Sequence, residues 1–209
     1  MGCKKKNTES TATTGSGSAA MVETGSGSAA TAETGSGSAM AAGSAAAPAA
    51  GGLTDPQIAA IVVAANQVDV DAGNLAVKKT KNADVKKFAE QMVTDHTAVN
   101  KAAGDLVAKL KVTPEETDAS KGLVSGGAEN LAKLEKLDGA AFDKAYVDNE
   151  VAYHKAVIDV LDTKLIPSAS NAELKSTLVS VKPTFDEHLK HAEMLQSQLE
   201  GGSGAGHKM

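Results

Sequence analysis

The sequence predicts an all-α protein: an antiparallel four-helix bundle with one extra short helix, set behind a disordered N-terminal spacer. Three observations carry that expectation. Apolar residues recur at alternating three- and four-residue steps over long stretches, the spacing of one helix face. Aromatic residues make up 2% of the chain and Trp is absent, so the large apolar residues are mainly Leu, Val and Ile among many Ala, which suits close helix packing. The periodic stretches are joined by short Gly, Pro or Asn turns, the connections expected between antiparallel neighbours.

The N-terminal part of the 209-residue chain follows a different rule. From Thr14 to Gly43 a decapeptide recurs as "TGSGSAAMVE", "TGSGSAATAE" and "TGSGSAMAAG". Gly, Ser, Thr and Ala bury too little apolar area to offset the entropy of ordering the backbone, so this tract is expected to stay disordered, whether it arose by slippage of a repetitive gene or by selection. Roughly 45 flexible residues have a root-mean-square span of ~35–40 Å. The expected layout is a spacer over residues 1–52, one bundle domain over 53–200, and a flexible tail, "GGSGAGHKM", over 201–209.

Each helix has its own signals. The first opens at Thr54 or Asp55 as N-cap with Pro56 in its first turn, and aligns Ile58, Ile61, Ala65, Val68, Ala72 and Leu75. The second aligns Val85, Ala89, Met92, His96, Val99, Ala103, Leu106 and Leu110 and ends near Pro114. Gly122, Gly126 and Gly127 weaken the next stretch, leaving a short helix over Ala128 to Leu137. A further stripe of Val147, Glu150, His154, Ile158, Leu161 and Leu165 stops before Pro167. The last runs through Leu174, Leu178, Val181, Phe185, His188, Ala192, Leu195 and Leu199. Pro183 lies inside it and is expected to kink that helix rather than end it, because the stripe continues in register.

Charge excludes one class of function. The formal net charge is −5, and Lys is interleaved with Asp and Glu, so there is no continuous basic face for a phosphate backbone and no nucleic-acid partner is expected. No stretch reaches the ~18 apolar residues that cross a bilayer as a helix. The single Cys rules out an intrachain disulfide.

The apolar stripes contain polar exceptions. His96, His154 and His188 fall at inward positions on three different helices, Glu150 precedes His154 by one turn, and Asp69 sits at the edge of the first stripe. Imidazoles and carboxylates projecting inward from facing helices are how bundles hold metals, which makes Asp69, His96, Glu150, His154 and His188 a candidate divalent-metal set. The same residues also fit a structural polar layer, each His satisfied by a carboxylate or carbonyl. The sequence favours that second reading, so no cofactor is expected, with a divalent metal as the alternative. Asp95 lies off the face of His96 and is expected to cap or meet solvent, and His191 with Glu187 is expected to form an exposed pair. Nucleophilic and nucleotide chemistry find no Gly-x-Ser-x-Gly elbow, Walker loop or dinucleotide fingerprint.

The segments "VDVDAGNLAVKKTKNADVKKFAEQMVTDH", "LDGAAFDKAYVDNEVAYHKAVIDVL" and "FDEHLKHAEML" resemble the bacterial domain-of-unknown-function family 4142, over about Asp55 to Leu199. The resemblance implies a ferritin-like four-helix fold and an outer-membrane or periplasmic location, without an assigned activity. It maps a recurring Asp-His pair onto Asp95 and His96, a Phe-Asp-x-x-Tyr element onto Phe142, Asp143 and Tyr146, and later histidines onto His154 and His188. The Glu-x-x-His pattern of di-iron ferritins is absent.

The N-terminus "MGCKKK" looks like the mature end of a bacterial lipoprotein, in which Cys3 carries the lipid and Gly2 belongs to the processing motif. The expectation is that Met1 falls within the signal segment. N-myristoylation at Gly2 is disfavoured by Lys6 where Ser or Thr is preferred, and an unmodified thiol is the third option. Lys4, Lys5 and Lys6 suit an anionic lipid surface, at about 1 kcal/mol each. The functional expectation is a lipid-anchored envelope protein with a binding or structural role, more a non-enzyme than an enzyme, with membrane contact through Cys3. The alternative is a metal-binding or metal-dependent redox protein using the His and Glu cluster.

Overall fold

A computed structural model describes residues 52–203; Cys3, the expected spacer up to residue 51 and residues 204–209 lie outside the described residues. Helix α1 (Asp55–Lys79) starts at Thr54, whose hydroxyl accepts from the Gln57 N–H while Gln57 Oε1 accepts from the Thr54 N–H, a reciprocal capping box. Asp55 is therefore not the cap. Its carboxylate accepts from Ser170 N–H and Asn171 N–H at 2.8 and 3.0 Å, which ties the start of α1 to the turn before the last helix. Helix α2 (Ala83–Leu110) is capped by Asn82 and ends at Lys111 in the left-handed conformation, φ 54°.

Helix α3 (Asp118–Leu134) is longer than the expected Ala128–Leu137 and starts earlier. Thr117 and Ser120 form its capping box, a signal upstream of the glycines. Gly127 has a packing reason to be there: a Cβ on it would lie 2.7 Å from Val68 Cγ2. Tertiary contact overrides local propensity at that position. Helix α4 (Gly139–Val160) passes directly into a π-helical turn (Leu161–Leu165) and a one-turn helix α5 (Ile166–Ser168). The expected stop before Pro167 is not observed: the backbone stays right-handed helical through the π turn into Ile166, and Pro167 lies within the short α5 that follows. Helix α6 (Ala172–Ser203) holds exposed Pro183 within it and continues on both sides, taking in Gly201 to Ser203.

Contacts at the helix ends fix the directions. The loop after α2 returns to the start of α1 through Glu115 N–H and Pro56 O at 3.0 Å, so α3 runs alongside α1 in the same sense. At the other end, Lys79 Nζ pairs with Asp138 at 3.1 Å, and α4 descends antiparallel to α1. Lys109 meets Glu173 at 2.6 Å, setting α6 antiparallel to α2. Helices α1, α2, α6 and α4 thus form a closed four-membered ring of antiparallel neighbours, and α3 packs outside it on α1. The described residues form an all-helical bundle.

The interior has three levels. One apolar cluster is built around Phe88, Met92, Phe142, Tyr146 and Leu195. A second contains Ile58, Ile61, Leu106, Leu178 and Phe185. Along each of the four ring helices the residues between the two clusters are polar and buried: Asn66 and Asp69 on α1, His96 on α2, Glu150 and His154 on α4, and His188 on α6. Burying six polar groups at mid-height costs stability unless each finds a partner, so their bonding decides what the layer is.

Candidate metal centre

The structure brings all five sequence-predicted residues together. Asp69, His96, Glu150, His154 and His188 are each no more than 3% exposed. The three imidazole rings surround one another, with centroid separations of 5.5 Å for His96–His154, 5.2 Å for His96–His188 and 5.5 Å for His154–His188. Phe185 stacks on His96 at 5.2 Å and closes the apolar side of the layer.

Each imidazole is held through one nitrogen. Asn66 donates through its Nδ2 to the Val62 carbonyl at 2.7 Å, which turns its Oδ1 toward His96 Nδ1, also at 2.7 Å. A carbonyl oxygen only accepts, so His96 Nδ1 carries the proton. His154 Nδ1 donates to the Glu150 backbone carbonyl at 3.0 Å. His188 Nε2 donates to Asp95 Oδ2 at 2.9 Å. These partners fix the neutral tautomer of all three rings and leave a lone pair on His96 Nε2, His154 Nε2 and His188 Nδ1. Those three nitrogens are buried and have no hydrogen-bond partner among the described residues.

The environment keeps the rings neutral. Burial, then the neighbouring His154 and His188, push His96 down to about 2. Burial also lowers His154 to about 4, against the opposing pull of the Glu150 carbonyl. His188 is lowered by burial despite its bond to Asp95. The three lone pairs thus stay unprotonated and have no donor among the described residues.

A carboxylate stands behind each ring. Asp69 Oδ2 lies 3.5 Å from His96 Nδ1, Glu150 Oε2 lies 3.6 Å from His154 Nδ1, and Asp95 bonds His188. Asp95 on His188 is the carboxylate–histidine contact that orients an imidazole and raises its basicity, whereas Asp69 and Glu150 lie beside rings whose Nδ1–H is already donated to Asn66 and to the Glu150 backbone carbonyl. Asp69 and Glu150 also face each other. Burial and mutual repulsion raise Asp69 far above the carboxylate range, and burial lifts Glu150 to about 8. No Lys or Arg pairs with either among the described residues, so without a cation the pair retains a proton. Tyr146 Oη is fully buried without a partner, and its ionisation is opposed by burial and by the Glu150 and Asp69 charges.

Two groupings satisfy the proximity that a metal requires. His96, His154 and His188 each bring a ligand atom within 4.8 Å of the others, and so do Asp69, Glu150 and His154. Ligands of one ion at about 2.0–2.1 Å lie roughly 3.3–4.2 Å apart, somewhat closer than that 4.8 Å limit.

Two expectations are corrected here. Asp95 neither caps nor simply meets solvent: it reaches from α2 to α6 and holds His188. His191 is not an exposed partner of Glu187, since its ring packs edge-on against Phe88 at 5.1 Å. Asn66 was not anticipated at all. Its signal is the spacing Val62, Asn66, Asp69, which places the amide on the face of the acid one turn before it.

Fold and site together define an all-helical bundle with a buried imidazole and carboxylate layer across its middle. Residues 39–195 match the family described as Domain of unknown function (DUF4142), and the chain belongs to that family. Among solved structures the chain is similar to a Streptomyces coelicolor protein described as "putative secreted protein DUF305", at 11% identity and a TM-score of 0.60, over 69% of this chain and 92% of that one. At that identity the likeness concerns the fold alone. No curated protein matches the chain.

Proposed function

We propose that this bundle binds one divalent transition-metal ion through His96 Nε2, His154 Nε2 and His188 Nδ1, with Asp69, Glu150 and Asp95 as the groups behind them, in a ferritin-like arrangement of inward-facing ligands. The carrying observation is the set of three buried ring nitrogens that have lone pairs and no partner. Buried polar groups are ordinarily hydrogen-bonded, and a bound cation would supply the partner these nitrogens lack. Three imidazoles suit zinc, copper, iron or nickel rather than magnesium or calcium, which prefer oxygen. Bound there, the ion would act as a Lewis acid or an electron-transfer centre, while Asp69 and Glu150 hold or release a proton beside it.

The chain is proposed to work at the bacterial cell envelope, tethered by a lipidated Cys3. The "MGCKKK" start and the Gly/Ser/Ala tract support this, as does the description of the similar solved protein as secreted.

Thermal unfolding against added Zn(II), Cu(II), Ni(II) and Mg(II) tests the binding. A metal that binds the folded state alone raises the melting temperature with concentration. The expected result is a rise with the transition metals, none with Mg(II), and a smaller rise in His154→Gln, which keeps two of the three ring nitrogens. An unchanged melting temperature with every transition metal would sink the proposal.

A further inference from the structure

A second site lies on the other side of Tyr153. Between α1, α3 and α4 runs an open groove of about 1000 Å³, at the upper end of ligand-site volumes. Its floor is apolar: α1 supplies Ile61, Ala65 and Val68, and α4 supplies Val157 and Val160. Helix α3 reaches α1 closely at Gly127. Farther along, α3 presents Gly122 and Gly126, where an added Cβ would meet no atom within 4 Å. The missing side chains there keep the groove wide. Tyr153 donates to the Ala65 carbonyl at 3.0 Å and packs edge-on to His154 at 6.4 Å, so it walls the groove off from the imidazoles.

The rim is polar at one end. Thr163, Lys164 and Ser168 line it there, on the π turn and the helix after it. Lys164 is the one charged side chain lining the groove; neighbouring Asp162 pairs with Lys182 instead, and no carboxylate among the described residues pairs with Lys164. Helical π turns are frequent at functional sites.

We infer that this groove binds a single-chain anionic amphiphile, a long-chain fatty acid, with its hydrocarbon tail over the α1 and α4 floor and its carboxylate at Lys164. An apolar groove ending in a cation without a carboxylate partner, beside the Ser168 hydroxyl, matches that chemistry at both ends. The inference does not depend on the metal reading.

Titration of the full-length chain with cis-parinaric acid, a fluorescent long-chain fatty acid, tests it; the absence of Trp keeps the signal clean. Saturable binding of one equivalent is expected, displaced by palmitate about two- to fivefold more effectively than by hexadecanol, its neutral counterpart. Lys164→Gln should remove that preference. Gly126→Leu should fill the groove and abolish binding with its melting transition retained, while Gly104→Leu, at an equally open position on α2, binds as the parent chain does. Non-saturable binding, equal displacement by hexadecanol and palmitate, or unimpaired binding by folded Gly126→Leu would each overturn the inference.

Discussion

Asp95 and His96 are adjacent in sequence yet serve different imidazoles: Asp95 accepts the Nε2–H of His188 on α6, while His96 turns its own Nδ1–H to Asn66 on α1. One turn of α2 thus organises three of the four ring helices around the polar layer. Asp95→Asn keeps the shape but removes the charge, and an amide can present its NH2 group to the ring. The expected outcome is retained fold and a metal affinity lowered about 10–100-fold, read by competition with a chelating dye. A loss no larger than that of an exposed control such as Asp105→Asn would deny Asp95 this role.

Asn66→Leu removes the acceptor that fixes the His96 tautomer and leaves a buried N–H facing hydrocarbon. Destabilisation of about 1–3 kcal/mol is expected in urea unfolding. Asn66→Asp restores an acceptor, and should recover metal binding better than the Leu variant does.

The pH profile of the metal-free protein has two opposed limbs. His96, His154 and His188 titrate lower in the fold than the ~6.5 of an unfolded His. The unfolded chain therefore takes up protons first, and stability falls as pH drops below ~6.5. Glu150, raised from 4.5 to about 8, and Asp69, also raised, act in the other sense. Their contribution is complete below the unfolded carboxylate values and is lost as pH rises toward 8. Maximum stability is thus expected at mildly acid pH, with a decline of up to about 1.4 kcal/mol per pH unit for each proton released above ~6.5. A bound divalent cation replaces that proton, so the metal-loaded protein should show no decline between pH 6.5 and 8. Equal slopes with and without metal would place the ion away from the acid pair.

Two neighbouring glycines should respond with opposite signs. Gly127→Ala pushes a methyl to 2.7 Å from Val68 Cγ2 and is expected to destabilise by about 1–3 kcal/mol. Gly126→Ala enters open space and should stabilise by roughly 0.5–1 kcal/mol through helix propensity. Thermal melts of the two single variants decide it; equal effects would mean that α3 is not seated on α1 at Gly127.

Most of the bundle was legible because period and capping are local. The 4-3 spacing of α2 and the stripe of α6 placed His96 and His188 inward without any tertiary knowledge, and Pro56 behind Thr54 or Asp55 marked the start of α1. The extent of α3 was not legible, since Gly127 is explained by Val68 on another helix. Pro167 misled for a related reason: a one-turn helix restarts at Ile166 after the π turn, and no periodicity announces that. The five-residue cluster could be named from its inward spacing, but not its bonding. Asp95 lies off the face of its own helix, and only the packing of α2 beside α6 carries it to His188. The unpartnered nitrogens, on which the metal proposal rests, can be identified only once the tautomers are fixed in three dimensions.

X-ray absorption at the zinc edge, on protein loaded with one equivalent of Zn(II), tests the central claim most directly. Three imidazole nitrogens at about 2.0–2.1 Å, reduced to two in folded His154→Gln, are the expected result. An oxygen-only shell, or a spectrum identical in the His154→Gln protein, would contradict it.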